Sequence, residues 1–483
     1  MAVDLETIAR LVAFDKGKAV PIASDLQIVI QPDALVLCCI ALAGEDTTVH
    51  VVACGSIGKP AEFLSVPDPR FRDDQYDLFA WIGQRIEQYY ADCRRRGTHP
   101  QIWVSSDAAV KHLDVLSDRL RYNRERADVR RLGELLTYAT ERFPVGGQQA
   151  LYAATSALRQ HYATGQQAAE DAHLGTLLTW IDPPRKTNIL AAVALAEQTP
   201  MGMKTDPEFD RTKLDPVVRA YNEARRAGAS TAQLKRRAQN IHDALMTVVS
   251  PIYDATQAAV EILRTRWPRR LLTAPQLQDR EAQEFDNFMQ SRDNGFFLPT
   301  RDKPKAAALK LTEREIALQT VEAAVCIGDR VALAKARLAG RILEGTIENP
   351  RRVWVRPRVF ESTFDLISSQ RVLRIRPRDE LILLTDPRQR VLVRNVERQG
   401  RRTRVQLEII KGKNAVGLPS ASSIQVFTPY VPDWNSLTQA RIQLAERLAV
   451  QPWTHAENGA MPQRVPSQLP EPADLLAAVE ALR

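Results

Sequence analysis

Fifteen arginines and two lysines fall between Arg351 and Lys413, against four glutamates and three aspartates. Seventeen basic and seven acidic residues leave that segment at +10. The whole chain, with 66 Lys and Arg against 58 Asp and Glu, carries only +8. The rest of the chain therefore sums to −2, and the basic character belongs to one stretch. Arginine grips phosphate bidentately and stacks on bases, and lysine does neither as well. The candidate phosphate contacts are Arg352, Arg356, Arg358, Arg374, Arg376, Arg390, Arg394, Arg401, Arg402, Arg404, Lys411 and Lys413. Trp354 is either a core residue at strand spacing or an aromatic platform. A solvated surface, or a patch docking an acidic protein, is the plainer reading of the same charges, but their concentration in one segment favours nucleic acid.

Carboxylates offer a second chemistry. Asp33, Asp74 and Asp107 are the acids that could converge on a two-magnesium nuclease centre, which needs ligands from separate elements. Each also has a plainer role in a turn or at a helix start, where acids favour the dipole. Ala53-Cys-Gly-Ser-Ile-Gly-Lys59-Pro60 nearly spells a phosphate loop. It lacks the first glycine and the magnesium-binding hydroxyl, since Pro60 stands where Ser or Thr is needed. Pro67 and Pro69 deny it the following helix, so a hairpin loop is expected. Asp4-Leu-Glu6-Thr7 resembles an exonuclease motif, but Leu5, Ile8, Leu11 and Val12 have helical spacing, and Asp4 reads as an N-cap. No histidine or cysteine pair has metal-ligand spacing. No cofactor is expected, magnesium excepted under the nuclease reading.

The elements that must position these residues divide the chain into four parts. Residues 1–123 read as α/β, with strands at Leu26–Gln31, Ala34–Ala43 and Thr47–Ala53. A helix at Asp74–Arg96, a strand at Ile102–Val104 and a helix from Asp107 to Leu120 follow. Three antiparallel strands, a helix, then a strand and a helix is the order of an RNase H-like fold. Gln27 or Gln31 would stand where an active first strand places an acid, so this domain reads as degenerate. Residues 124–341 are helical, with candidates at Ala127–Arg142, Gly147–Tyr162, Asp215–Arg226 and Thr231–Trp267. Thr312–Gly340 adds a second long helix begun by a Thr312/Glu315 capping box. These two long helices read as a stalk. Residues 342–430 alternate arginine with apolar residues in short runs separated by turn signals. That pattern predicts a small barrel with its filling inside and guanidiniums outside. Residues 431–483 hold a helix at 435–448, a proline-rich linker and a final helical start.

Composition suits a multidomain globular protein, at 44% hydrophobic and 26% charged residues. No apolar run reaches membrane-spanning length. Five cysteines without CxxC spacing suggest a reducing, cytoplasmic setting.

Together, the RNase H-like order, the helical segment Glu170–Pro184 (EDAHLGTLLTWIDPP), the stalk and the barrel resemble the N-terminal portion of certain bacterial superfamily 1 helicases. In those proteins the barrel is an insertion that contacts nucleic acid. The segment Leu448–His455 (LAVQPWTH) and the linker after it resemble the approach to the ATPase core. No G-x-x-x-x-G-K-[ST] loop occurs in this sequence. The resemblance implies a nucleic-acid-binding accessory protein, or the split N-terminal half of a helicase, whose partners are DNA or RNA and an ATPase subunit.

Overall fold

The computed structural model describes residues 5–429, apart from 46, 148, 268–273, 296–303 and 358, together with Ile442 and Glu446. Asp4, Arg358, the expected helix over 435–448 (those two residues apart) and the proline-rich segment lie outside the described residues. The chain is mixed α/β. Its strands are β1 (Val20–Pro21), β2 (Leu35–Ala41), β3 (Val49–Ser56), β4 (Glu62–Ser65), β5 (Ile102–Val104), β6 (Leu151–Ala153) and β7 (Tyr162–Ala163), followed by β8 (Leu343–Arg356), β9 (Val359–Ser368), β10 (Glu380–Leu383), β11 (Asp386–Gln399), β12 (Arg402–Lys411) and β13 (Ile424–Pro429).

A five-stranded sheet in the order β4-β3-β2-β5-β6 forms the first core. β2, β3 and β4 are antiparallel, whereas β5 pairs parallel with β2 and β6 parallel with β5. Strand alternation sends Leu35, Leu37 and Cys39 to one face and Val36, Cys38 and Ile40 to the other. All seven residues of β2 are buried, so helices must cover both faces. One layer holds α2 (Arg72–Arg96), α3 (Asp107–Leu120) and α4 (Ala127–Thr140), with Phe285 from α11 (Ala274–Asp293). The other holds α5 (Ala154–His161), α6 (Leu174–Ile181) and α10 (Thr231–Arg266). α10 buries Ile241, Leu245, Val249, Ile252 and Tyr253 at helical spacing, with Pro251 inside it.

Two expectations about this region change. Leu26–Gln31 is not a strand; its main chain is tied instead by single bonds, such as Gln27 N–H to His161 Nε2 at 3.1 Å. The meander therefore starts at β2. The sheet also takes its fifth strand from Leu151–Ala153, beyond residue 123 and inside a stretch expected to be one helix. The loop after β3 is a hairpin turn as expected, since β3 pairs with β4. α10 uses up its backbone: Gly58 N–H donates to Gln257 Oε1 at 3.0 Å, and Tyr253 Oη donates to the Lys59 carbonyl at 3.1 Å.

The expected Thr312–Gly340 helix is two helices. α12 (Pro304–Gly328) begins before Thr312, so the capping box starts nothing, and α13 (Arg330–Leu338) follows a break at Asp329. Asp329 is buried. Its Oδ1 accepts the Val331 and Ala332 N–H groups at 2.8 and 3.1 Å. Its Oδ2 accepts Ser24 N–H at 2.8 Å and Gln27 Nε2 at 3.2 Å. One carboxylate thus caps a helix and fastens it to the loop before the sheet. Burial alone would raise this acid, but the bonds from Ala332, Ser24 and Gln27 outweigh that and hold it below its ordinary range.

Asp329→Ala is expected to destabilise the protein by about 1–3 kcal/mol, the scale of a lost cap plus unsatisfied buried donors. Asp329→Asn, which keeps one acceptor, should lose less. Thermal melts at pH 7 measure both. The parent's advantage should shrink as pH falls through the acid's depressed folded value, because a protonated carboxyl no longer accepts at both oxygens.

Candidate nucleic-acid interface

β8 to β13 pair in the cyclic order β10-β11-β12-β9-β8-β13, and β13 pairs back with β10, so the sheet closes into a barrel. Leu343, Phe364, Leu381, Val393, Leu407 and Phe427 are among the side chains that fill it. β9 is a strand that the arginine pattern did not announce, and Val372–Ile375, an apolar run whose composition also reads as a strand, is a loop. Along β12, Thr403, Val405, Leu407 and Ile409 point inward while Arg402, Arg404 and Gln406 point out. Along β11, Val391 and Val393 point in and Arg390 and Arg394 out.

The basic side chains form two groups rather than one patch. β9 and β12 run antiparallel, with Thr403 opposite Ser368 and Glu408 opposite Thr363. The β11–β12 tip at Gly400–Arg401 and the β8–β9 tip at Pro357 are therefore at opposite ends of the barrel. Arg401 and Arg402 belong to the first end. Arg374, whose N–H donates to the Gly340 carbonyl at 2.8 Å, sits where α13 joins the barrel. The second end carries Arg352 and Arg356, with Lys413 donating to the Phe360 carbonyl at 3.1 Å.

Several candidates are committed to acids. Arg404 pairs with the buried Asp365, Arg394 with Glu408, and Arg390 with Glu380 at 3.3 Å. Burial would raise Asp365, yet Arg404 and Asn349 hold it below its usual range. Among the described residues, Arg352, Arg356, Arg374, Arg376, Arg401, Arg402 and Lys411 make no ion pair. Trp354 is 64% exposed and so is not core; its ring meets Phe360 edge-on at 5.3 Å.

The three carboxylates do not meet. Asp33 pairs with Arg96 at the end of α2. Asp74 lies in the first turn of the same helix, 3.8 Å from Arg225. Those helix positions are 22 residues apart, about 33 Å along the axis. Burial, partly offset by Arg225, raises Asp74. Asp107 starts α3, whose N-cap is Ser106, and accepts Ser156 Oγ at 2.6 and 2.8 Å. Among the described residues no group of three or more His, Cys, Asp or Glu is placed to hold a metal, and no helix is long and apolar enough to cross a membrane.

A cavity of about 450 Å³ lies elsewhere, between the sheet and α11, α12 and α13, lined by Gln31, His99, Tyr152, Glu281 and Val325 among others. His99 Nε2 is 3.1 Å from Tyr138 Oη, and its Nδ1 is 3.8 Å from Glu281 Oε2, too long for a hydrogen bond. Glu281 lies in line with the buried Phe285 and Met289 at helical spacing. An acid on an apolar stripe was the available signal in the sequence. Burial pushes its carboxyl up to about 8. Burial, then the Arg142 charge, pushes His99 down to about 3. Burial thus disfavours the charged form of both groups. No family model, curated protein or solved structure matches the chain.

The folded chain holds the Glu281 proton that an unfolded one releases at about pH 4.3. Its stabilising contribution is complete below that pH and is lost as pH rises through about 8. Glu281→Gln should therefore raise the melting temperature at pH 9, by roughly 2–4 °C per kcal/mol recovered, and change it little at pH 5. An equal effect at both pH values in calorimetry would refute a buried neutral acid at this position.

Proposed function

We propose that this chain is a nucleic-acid-binding accessory protein, or the N-terminal portion of a superfamily 1 helicase. In this reading it contacts phosphates through its barrel. The observation that carries the proposal is the set of barrel guanidiniums without acidic partners. In the helical body the arginines are characteristically paired: Arg94 meets Asp286 and Asp293, and Arg126 meets Asp77 and Asp128. Between Arg351 and Lys413 seventeen basic residues face seven acids, so one-to-one pairing within that segment leaves ten over. Crowding uncompensated cations on a small barrel is unfavourable by itself, and a polyanion relieves it.

The strand order of the first sheet supports reading residues 1–163 as RNase H-like, with β2, β3 and β4 as the meander and β5 and β6 parallel to β2. β2 is wholly apolar where an active member would carry an acid, and Asp33, Asp74 and Asp107 stand apart. Both facts favour a non-catalytic domain.

Binding to labelled DNA and RNA should weaken steeply with salt. Four to six neutralised phosphates give a slope of log K against log salt of about −3 to −5. Changing Arg356, Arg401, Arg402 and Lys411 together to Ala should make that slope shallower by roughly 0.7–0.9 per lost contact, whatever the sequence of the probe. Arg404 is spared because it neutralises Asp365. Replacement by Lys at the arginine positions keeps charge and loses the fork, which separates steering from geometry. If the folded Ala variant binds as well as the parent at about 150 mM salt, the barrel is not the contact and docking of an acidic protein takes its place.

A further inference from the structure

Among the described residues, no third strand pairs with the distal half of the β8–β9 hairpin. β13 pairs with β8 only from Leu343 to Thr346, and β12 pairs with β9 only from Thr363 to Ser368. From Arg351 onward the two strands form a free ribbon, with Arg352 opposite Ser362, Val353 opposite Glu361 and Trp354 opposite Phe360. The ribbon is exposed toward its tip, while Ser362, nearer the barrel, is buried. Val353, Trp354 and Val355 are 56%, 64% and 52% exposed, three consecutive large apolar residues left in water.

The two faces differ. Directly opposed residues share a face, so Trp354, Phe360, Arg352 and Ser362 are together, and Glu361 goes with Val353 on the other side. The Arg352 guanidinium lies over the Phe360 ring, 4.3 Å from its centroid, and Lys413 Nζ is 6.0 Å from the same ring. Phe360 is thereby occupied by cations, while the indole meets Phe360 edge-on and is 64% exposed. A register shift between Trp354 and Arg356 bulges the strand beside the tryptophan, the kind of feature that re-aims a side chain. The ribbon therefore carries an exposed indole beside the Arg352 and Lys413 cations that lie over Phe360, with Glu361 on the opposite face.

We propose that this ribbon takes single-stranded nucleic acid, with the Trp354 indole stacked on an unpaired base and Arg352 and Lys413 holding the adjoining phosphates. This rests on the phosphate-binding reading and adds a substrate class to it. A base can reach the indole only when it is unstacked from its neighbours, which a duplex does not offer without paying to open. An acidic protein surface would satisfy the cations but leave the indole without a π-partner.

The test uses the full chain, a labelled single strand and the hairpin duplex of the same sequence, with anisotropy titrations across a salt series. Trp354→Ala is expected to weaken single-strand binding roughly tenfold or more, the scale of one lost stack. Duplex affinity and the salt slope should stay unchanged, and Trp354→Phe should restore most of the loss. The position is exposed, so the variant keeps its core, and a melt matching the parent's confirms this. If Trp354→Ala binds single strands like the parent while the four-residue charge variant is weakened, stacking is wrong and phosphate binding stands. If neither variant is weakened, both readings fall. Equal losses on single strand and duplex also overturn the proposal, since a backbone contact alone would produce them.

Discussion

Closure of the barrel is the constraint from which its surface follows. The ring closes where β10 meets β13, through Leu381 opposite Pro429, Ile382 opposite Thr428 and Leu383 opposite Phe427. Closure removes every free edge over the height that the ring covers. It also fixes which alternate residues fill the interior and sends the charged set outward. Close approach of the strands is part of this: a Cβ at Gly345 would sit 2.3 Å from the Ile367 carbonyl oxygen. β10 has four residues, whereas β8 and β11 have fourteen each. Strands that long exceed what the ring can pair, and the β8–β9 excess leaves as a two-stranded ribbon. The exposure of Trp354 is a consequence of that mismatch in length.

Charge follows a second logic. Exposed ion pairs contribute little, typically below about 1 kcal/mol each, so the paired arginines of the body are not what holds it together. The two covered faces of its sheet do that. The barrel acids with the least exposure, Asp365 and Glu408, are the ones that Arg404 and Arg394 neutralise. Leaving either acid alone would be expensive, because a partly buried carboxylate needs its cation. Arg388 and Arg390 pair with Asp386 and Glu380, and the other described barrel guanidiniums make no ion pair. Their number is set by composition rather than by packing, which is why a partner in solution is the economical account of them.

How much of this could be read from the sequence depended on whether local chemistry or distant partners decided each element. α3 and α9 (Asp215–Arg226) have the bounds that periodicity and caps gave them, and the β11–β12 hairpin was visible from alternation around Gly400. Leu26–Gln31 has strand composition, but β2 takes the place beside β3, and the segment is held by His161 and Gln101 instead. The Thr312/Glu315 box has the right letters, yet α12 was already under way at Pro304. Asp329 gave a real cap whose partners, Ser24 and Gln27, lie some three hundred residues earlier. Trp354 looked like core because alternation tells which residues share a face, not whether a third strand covers it. Glu281 and His99 come from elements far apart in sequence, and neither carries a motif.

The body of the protein also constrains where chemistry could occur. Both faces of the five-stranded sheet are packed, so only the strand ends remain. At the carboxyl end of β2, Ala41 N–H donates to the Met203 carbonyl at 2.9 Å, and Thr205 N–H returns a bond to Ala41 at 2.9 Å. Ala43 N–H is taken by Thr205 Oγ1 at 3.0 Å and by Asp210 Oδ2 at 3.2 Å. That end is plugged by chain rather than opened toward Asp107. The barrel joins the body through α12, α13 and the Asp329 carboxylate. Asp329 thus has a second role beside capping: among the described residues it ties the helix that leads into the barrel to the loop before the sheet.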